Sequence, residues 1–150
     1  MKKFVFTLQR LKEYREQTLD TEKGTLAELR ADLAQLEAEL EQILEELARL
    51  NRELMEKYKS IINATDIALR KRYINAKQQE LHMQRHKIML KNREIEKQLQ
   101  VVIDATMEVS KLERLEEHQI EEYKAAEQKE TEQFIEEFVS NADWRKSHAD

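Results

Sequence analysis

Residues 26–54 read LAELRADLAQLEAELEQILEELARLNREL, and leucine or isoleucine recurs there at alternating intervals of three and four residues. A helix of 3.6 residues per turn places such positions on one face. The nine residues of this first seam are Leu26, Leu29, Leu33, Leu36, Leu40, Ile43, Leu47, Leu50 and Leu54. Burying a leucine or isoleucine stabilises a fold by about 1.5–3 kcal/mol. The stretch therefore predicts a long helix packed against another helix.

The composition is that of long helices rather than of a globular domain. The 150 residues are 38% charged and include one glycine, no proline and no cysteine, whereas a globular domain has about 7% glycine and 5% proline. The net charge of −5 argues against non-specific binding to DNA or anionic membranes. Neither a secretory leader nor a run of about 20 apolar residues is recognisable. We therefore expect a soluble, cytoplasmic protein without disulfides or thiolate metal sites.

A second apolar seam follows the first, with turn-favouring residues between them. Asn63, Thr65 and Asp66 favour turns and helix caps. The second seam repeats every seven residues and comprises Ile74, Leu81, Ile88, Ile95, Val102 and Val109. The pattern predicts an all-α fold of two long helices in an antiparallel coiled-coil hairpin, with its turn near residues 63–72. We expect a single elongated domain with one arm over about residues 3–63, a second over about 67–141, a frayed C-terminal tail and a slight bend near Gly24.

Charge and the apolar positions together predict how the arms pair. Antiparallel arms lay the acidic stretch 37–46 beside the basic stretch 85–97, and the basic N-terminal residues beside the acidic residues 116–130, whereas a parallel homodimer would oppose like charges. The seams align with Ile88 opposite either Ile43 or Leu50. The second alignment is preferred because it also brings Phe4 opposite Phe134.

No individual motif predicts a catalytic or metal-binding site in this chain. His82 and His86 lie one helical turn apart, but no third ligand is placed and basic neighbours would repel a cation, so a solvated face is preferred to a metal site. No nucleophile, phosphate loop or buried carboxylate pair is recognisable, so we predict that the protein is not an enzyme and uses no cofactor. Basic residues and tyrosines around the turn fit a protein-docking surface better than one for nucleic acid.

Both ends of the chain resemble a known family. The opening FVFTLQRLKEYRE, from Phe4 to Glu16, and the stretch LERLEEHQIEEYKAAEQKETEQF, from Leu112 to Phe134, are similar to the terminal motifs of the FliJ family, the soluble stalk components of the bacterial flagellar type III export apparatus. The resemblance implies an antiparallel coiled coil similar to the central stalk of rotary ATPases.

The same resemblance implies the partners and the residues that would bind them. Family members bind the hexameric export ATPase FliI through their paired termini, contact the export gate protein FlhA and help to recycle export chaperones. The corresponding candidates for the ATPase-binding end are Phe4, Gln9, Arg10, Arg15, Glu122, Tyr123, Gln128 and Lys129. A second, export-gate surface would include Tyr73 and Ile74. The protein would be monomeric on its own and held at the membrane, at the flagellar base, only through its partners.

Three alternatives remain at this point. The chain could be the equivalent stalk of an injectisome-type secretion system, or a generic homodimeric coiled-coil spacer. It could also be a small hairpin that binds RNA or a membrane through its basic turn region.

Overall fold

The protein is all-helical and forms a hairpin. The computed structural model describes residues 2–59 and 63–148, and within them the chain forms two helices, α1 over Gln9–Tyr58 and α2 over Ala64–Ser147. The helices pack against each other in antiparallel orientation, which confirms the predicted fold class. Whether the hairpin is a single domain stays a prediction.

The helix bounds differ from the predicted arms at both ends. α1 begins at Gln9 rather than near residue 3, and α2 continues to Ser147, past the predicted end near residue 141. Of the predicted turn region, residues 64–72 are helical, and residues 60–62 between the two helices lie outside the described residues. Asn63 caps α2: its side-chain oxygen accepts a hydrogen bond from the Thr65 N–H at 3.1 Å, and its carbonyl accepts one from the Asp66 N–H. Such a cap satisfies N–H groups that lack partners within the helix.

The helices divide into two compact units, one formed by residues 20–103 and the other by residues 1–19 with 104–150. In the unit of residues 20–103, which we call the central unit, both apolar seams face inward. Every residue of the first seam is buried or half-buried, as are the second-seam residues of this unit. Ile43, Leu47 and Ile74 form a buried cluster with Leu50, Leu54 and Leu81 packed against it. The predicted interface between the two seams is therefore confirmed here.

Between the seams the two helices are also joined by a series of polar pairs, which we call the polar ladder. On α2 its members recur every seven residues; they are Arg70, Lys77, Gln84, Lys91 and Gln98. Their acidic partners on α1 are, in the same order, Glu53, Glu46, Glu39, Asp32 and Glu22. The nitrogen–oxygen distances in the same order are 3.3, 3.0, 2.9, 3.7 and 2.5 Å. Each rung consists of a side chain long enough to reach across the interface and an acidic group that accepts from it.

The polar ladder contradicts the predicted register. Gln84 lies beside Glu39 and Lys91 beside Asp32, which places Ile88 level with residues 33–36 of α1. The expected partners of Ile88, Ile43 and Leu50, are therefore one and two heptads away from the observed position. The apolar seams did not discriminate these alignments because each repeats every seven residues, so a heptad shift matches leucine to leucine again. Exposed ion pairs contribute only about 0–1 kcal/mol each, so the ladder affects how the two helices align more than it stabilises the fold.

Gln84 is the most buried rung of the polar ladder. Its side chain is 5% exposed, and its amide donates hydrogen bonds to the carboxylate of Glu39 and to the carbonyl oxygen of Leu36, both at 2.9 Å. A buried amide without such acceptors would cost a large part of its hydration free energy. Gln84 thus joins α2 to α1 beside Glu39 in the observed register.

Lys77 illustrates the electrostatics of the ladder. Its ammonium lies 3.0 Å from Glu46 and 3.1 Å from Glu80. The hydrogen bonds to Glu46 and Glu80 raise the pKa of Lys77, and the hydrogen bond from Lys77 lowers the pKa of Glu46. Each of the two charges therefore stabilises the other across the interface.

Candidate partner-binding surfaces

The unit of residues 1–19 and 104–150, which we call the terminal unit, contains the predicted ATPase-binding residues. Phe6, Val109 and Leu112 are buried in it. The ring of Phe4 packs on that of Tyr123 with centroids 5.5 Å apart, and the Tyr123 hydroxyl donates a hydrogen bond to the carbonyl of Lys2. The N-terminal segment before α1 is thereby attached to the surface of α2. The expected pairing of Phe4 with Phe134 is wrong, for the same reason as the predicted register.

An ion pair holds the start of α1 to α2 in the terminal unit. The Lys12 ammonium lies 2.7 Å from Glu116, and the hydrogen bond to this carboxylate raises the pKa of Lys12. Lys12 and Glu116 belong to the basic N-terminal and acidic C-terminal stretches that the sequence placed side by side. The predicted proximity of these two stretches is therefore confirmed at Lys12 and Glu116.

The other predicted ATPase-binding residues lie at the surface of the terminal unit. Gln9 bonds to Glu13, Gln128 bonds to Glu132 and the guanidinium of Arg15 lies 6.0 Å from the ring centre of Tyr14. Arg15 is half-buried, and the remaining members are exposed; these are Arg10, Glu122 and Lys129. The structure thus brings Phe4 and Tyr123 together and leaves the charged candidates accessible to a partner.

α2 continues far beyond the residues that α1 covers in the terminal unit. Every residue from 124 to 148 is exposed, although residues 124–147 are helical. Phe134 and Phe138 are each 68% exposed and lie one turn apart. Ile135 and Val139, the residues that follow them, are each more than half exposed. We call this group, residues 134–139, the C-terminal apolar stripe; an exposed apolar group of this kind is typical of a surface that another protein covers.

Close to the turn, the central unit carries a shallow groove of about 230 Å³. Its walls are largely apolar and are formed by Leu50, Asp66, Leu69, Arg70, Tyr73 and Ile74. Tyr73 and Leu69 are 58% and 64% exposed, whereas Ile74 is 7% exposed within the buried cluster. Of the two residues predicted for an export-gate surface, Tyr73 is available for contact and Ile74 supports it from the core.

The basic character of the turn region is partly neutralised within the protein. Arg70 pairs with Glu53 and Asp66 at 3.3 and 3.5 Å, and the Lys71 ammonium lies 5.9 Å from the ring centre of Tyr58. A nucleic-acid surface needs unneutralised cations that reach phosphates. The ion pairs of Arg70 therefore reduce the positive charge that this region offers to phosphates.

Two features of these surfaces were missed from the sequence. The groove depends on Leu69, which no apolar seam contains. The polar ladder was overlooked because only apolar positions were aligned, yet the heptad spacing of its five α2 members is visible in the sequence itself. A search for long polar side chains at core-facing heptad positions would have found it.

Comparison with known proteins settles the family. The family model of the flagellar FliJ protein matches residues 4–148. The chain belongs to the FliJ family. The match covers both helices of the hairpin, so the FliJ resemblance seen in the terminal motifs extends over the body of the chain. Neither the curated proteins nor the solved structures give a match.

Membership of the FliJ family makes the chain a flagellar, export-related stalk protein. In residues 2–59 and 63–148, neither helix contains a stretch that is long and apolar enough to cross a membrane. His82 and His86 are both exposed on α2.

Proposed function

We propose that this protein is a stalk and coupling component of the flagellar type III export apparatus. In this role it binds the hexameric export ATPase FliI through the terminal unit, promotes ring assembly and turnover, and contacts the export gate FlhA. It also helps to recycle export chaperones, performs no chemistry of its own and is held at the flagellar base through its partners. The match is to a flagellar family, which supports this function over that of an injectisome stalk.

The observation that best supports an ATPase-binding role is the uncovered part of α2. A helix that exposes Phe134, Ile135, Phe138 and Val139 is stabilised when a partner buries these side chains. The neighbouring Phe4–Tyr123 contact fixes the N-terminal segment in the same unit. We infer that the terminal unit is the part of the molecule that enters the ATPase.

The proposed mechanism depends on the mismatch between one stalk and six ATPase subunits. A single asymmetric molecule contacts equivalent subunits unequally, so it favours different conformations in different subunits. A ligand shifts a conformational equilibrium only by the difference in its affinity for the two states. Unequal contacts of this kind would promote ring closure and accelerate turnover.

For the export gate we propose the groove near the turn as the contact site. Tyr73 and Leu69 provide exposed apolar surface there, and Ile74 holds the backbone beneath them in the core. Replacing Tyr73 and Leu69 by serine should weaken binding to FlhA without lowering helix content, whereas Leu90→Ser, another exposed position of α2, should leave binding unchanged.

ATPase turnover tests the proposed function. Addition of this protein should raise the turnover of the cognate FliI, and Phe4→Ala combined with Arg10→Ala should weaken the effect. Phe134→Ser with Phe138→Ser should weaken it by about tenfold or more, because two aromatic anchors lose their buried surface.

His82→Ala and Leu90→Ser are the matched controls, since both positions are exposed on α2 outside the terminal unit. Each should stimulate FliI as the unmodified protein does. Unchanged ATPase turnover at saturating amounts of the unmodified protein would refute the mechanism.

A further inference from the structure

The polar ladder is periodic on both helices. Its five α2 members recur every seven residues, and so do four of its acidic partners, at positions 32, 39, 46 and 53. A shift of α2 by one heptad relative to α1 would therefore give four of the five α2 members a new acidic partner. In the shifted register Lys77, Gln84, Lys91 and Gln98 would face, in that order, Glu53, Glu46, Glu39 and Asp32.

The apolar seams of the central unit permit the same shift. Ile74 now packs beside Leu47 and Leu50, and after the shift Leu81 would take this place. Each later member of the second seam would take the place of the member before it. Ile88 would move to the place of Leu81, and the same holds in turn for Ile95 and Val102. Every heptad from Leu26 to Leu54 supplies two apolar residues, so the shifted seam residues would again face apolar side chains across the interface. The exception is Ile74, which would approach Lys57.

The residues at the start of α2 suit the connection that the shifted register requires. In the shifted register each residue of α1 pairs with an α2 residue seven positions further along the chain. The midpoint between the two arms therefore moves by about half a heptad, into residues 63–67. Asn63, Thr65 and Asp66 favour turns, and Ala64 and Thr65 are exposed in the first turn of α2. Unwinding residues 63–65 would therefore uncover little apolar surface, and Ile67 is the half-buried apolar residue of this turn.

We propose that the central unit is a two-register hairpin, in which the polar ladder stabilises both the observed register and one displaced by a heptad. The shift moves the exposed side chains of one arm past those of the other by about 10 Å, at 1.5 Å per residue. A partner that contacts both arms binds one register better and so selects it. The hairpin is thus a conformational switch, and this inference does not rest on the proposed function.

Within the central unit, two rungs distinguish the registers. Arg70 pairs with Glu53 only in the observed register, because residue 60, which it would face after the shift, is a serine. Glu22 likewise serves as a partner of Gln98 only in the observed register, since Gln98 would turn to Asp32 after the shift. Loss of either rung should therefore favour the shifted register, whereas Arg72, exposed on the same helix, belongs to no rung.

Pulsed electron–electron double resonance, which measures the distance between two spin labels, tests this proposal. The chain has no cysteine, so Lys23→Cys with Gln79→Cys gives two label sites, both exposed and both in the central unit. The one-heptad shift lengthens their separation along the helices by about 10 Å. The labelled full-length protein, diluted with unlabelled protein, should show two distance populations that differ by about this amount.

The ratio of the two populations should respond to the rungs. Arg70→Ala should raise the longer-distance population about two- to fivefold, as should Glu22→Ala, because each removes one half-buried pair from the observed register alone. Arg72→Ala should leave the ratio unchanged. The proposal would be overturned if the labelled protein showed a single population at the shorter distance. This result would have to hold both with the intact ladder and in the double variant Arg70→Ala with Glu22→Ala.

Discussion

At the scale of single residues, Gly24 is an exception in the helical sequence, because it is the one glycine of the chain. A slight bend near Gly24 stays a prediction; α1 runs through this residue without a break and its φ is not positive. A Cβ atom built at this glycine meets no other atom within 4 Å. Nothing in the structure therefore requires a glycine at position 24.

The first prediction concerns this glycine. Gly24→Ala should raise the free energy of unfolding by about 1 kcal/mol, because alanine restricts the unfolded chain and favours the helix. Chemical denaturation followed by circular dichroism measures the change. Ala27→Gly, at an exposed position of the same helix, should lower the free energy of unfolding by a similar amount; a destabilising Gly24→Ala would mean that the site is tighter than the structure shows.

The second prediction is a pH dependence. The pKa of Glu46 is lowered in the folded protein, chiefly by the hydrogen bond from Lys77, so its contribution to stability is present above the usual value of 4.5. It is lost as the pH falls from 4.5 through the lowered folded value. The thermal midpoint should decline in this interval, and Glu46→Gln should decline less. Equal declines in the two proteins would show that Glu46 does not contribute.

At the scale of helices, the seams and the polar ladder answer different questions. The spacing from Leu26 to Leu54 was sufficient to predict a long helix and its buried face, because apolar periodicity determines which side avoids water. It was insufficient to predict the register, because seams that repeat every seven residues match equally well after a shift of one heptad. The contact between Gln84 and Glu39 shows which register the structure adopts, because the buried amide lies beside Glu39 and not beside Glu46, one heptad away.

The third prediction tests the contribution of this rung to the pairing of the helices. Gln84→Ala should lower the free energy of unfolding by about 1–3 kcal/mol, because a buried hydrogen bond to a charged group and some packing are lost. Denaturant unfolding provides the measurement. Gln79→Ala removes the same side chain from an exposed position of α2 and should change stability by less than about 0.5 kcal/mol; the rung would be dispensable if the two variants unfolded alike.

At the scale of the whole molecule, the terminal motifs identified the family before the helices were known. The candidate ATPase-binding residues are placed by the terminal unit, where Phe4 meets Tyr123. The exposure of residues 124–148 could not be predicted, because it depends on where α1 begins and on the register of the two helices. A sequence shows that Phe134 and Phe138 are apolar, but only the pairing of the helices shows that no described residue of the terminal unit covers them.

Both the polar ladder and the uncovered C-terminal apolar stripe require that α1 and α2 pair within one chain. Multi-angle light scattering of the purified protein tests this most directly, at concentrations on both sides of those used for ATPase measurements. Intramolecular pairing predicts the mass of one chain, 18.0 kDa, at every concentration. A mass of two chains that persists on dilution would contradict the account, because the two seams would then be paired between molecules.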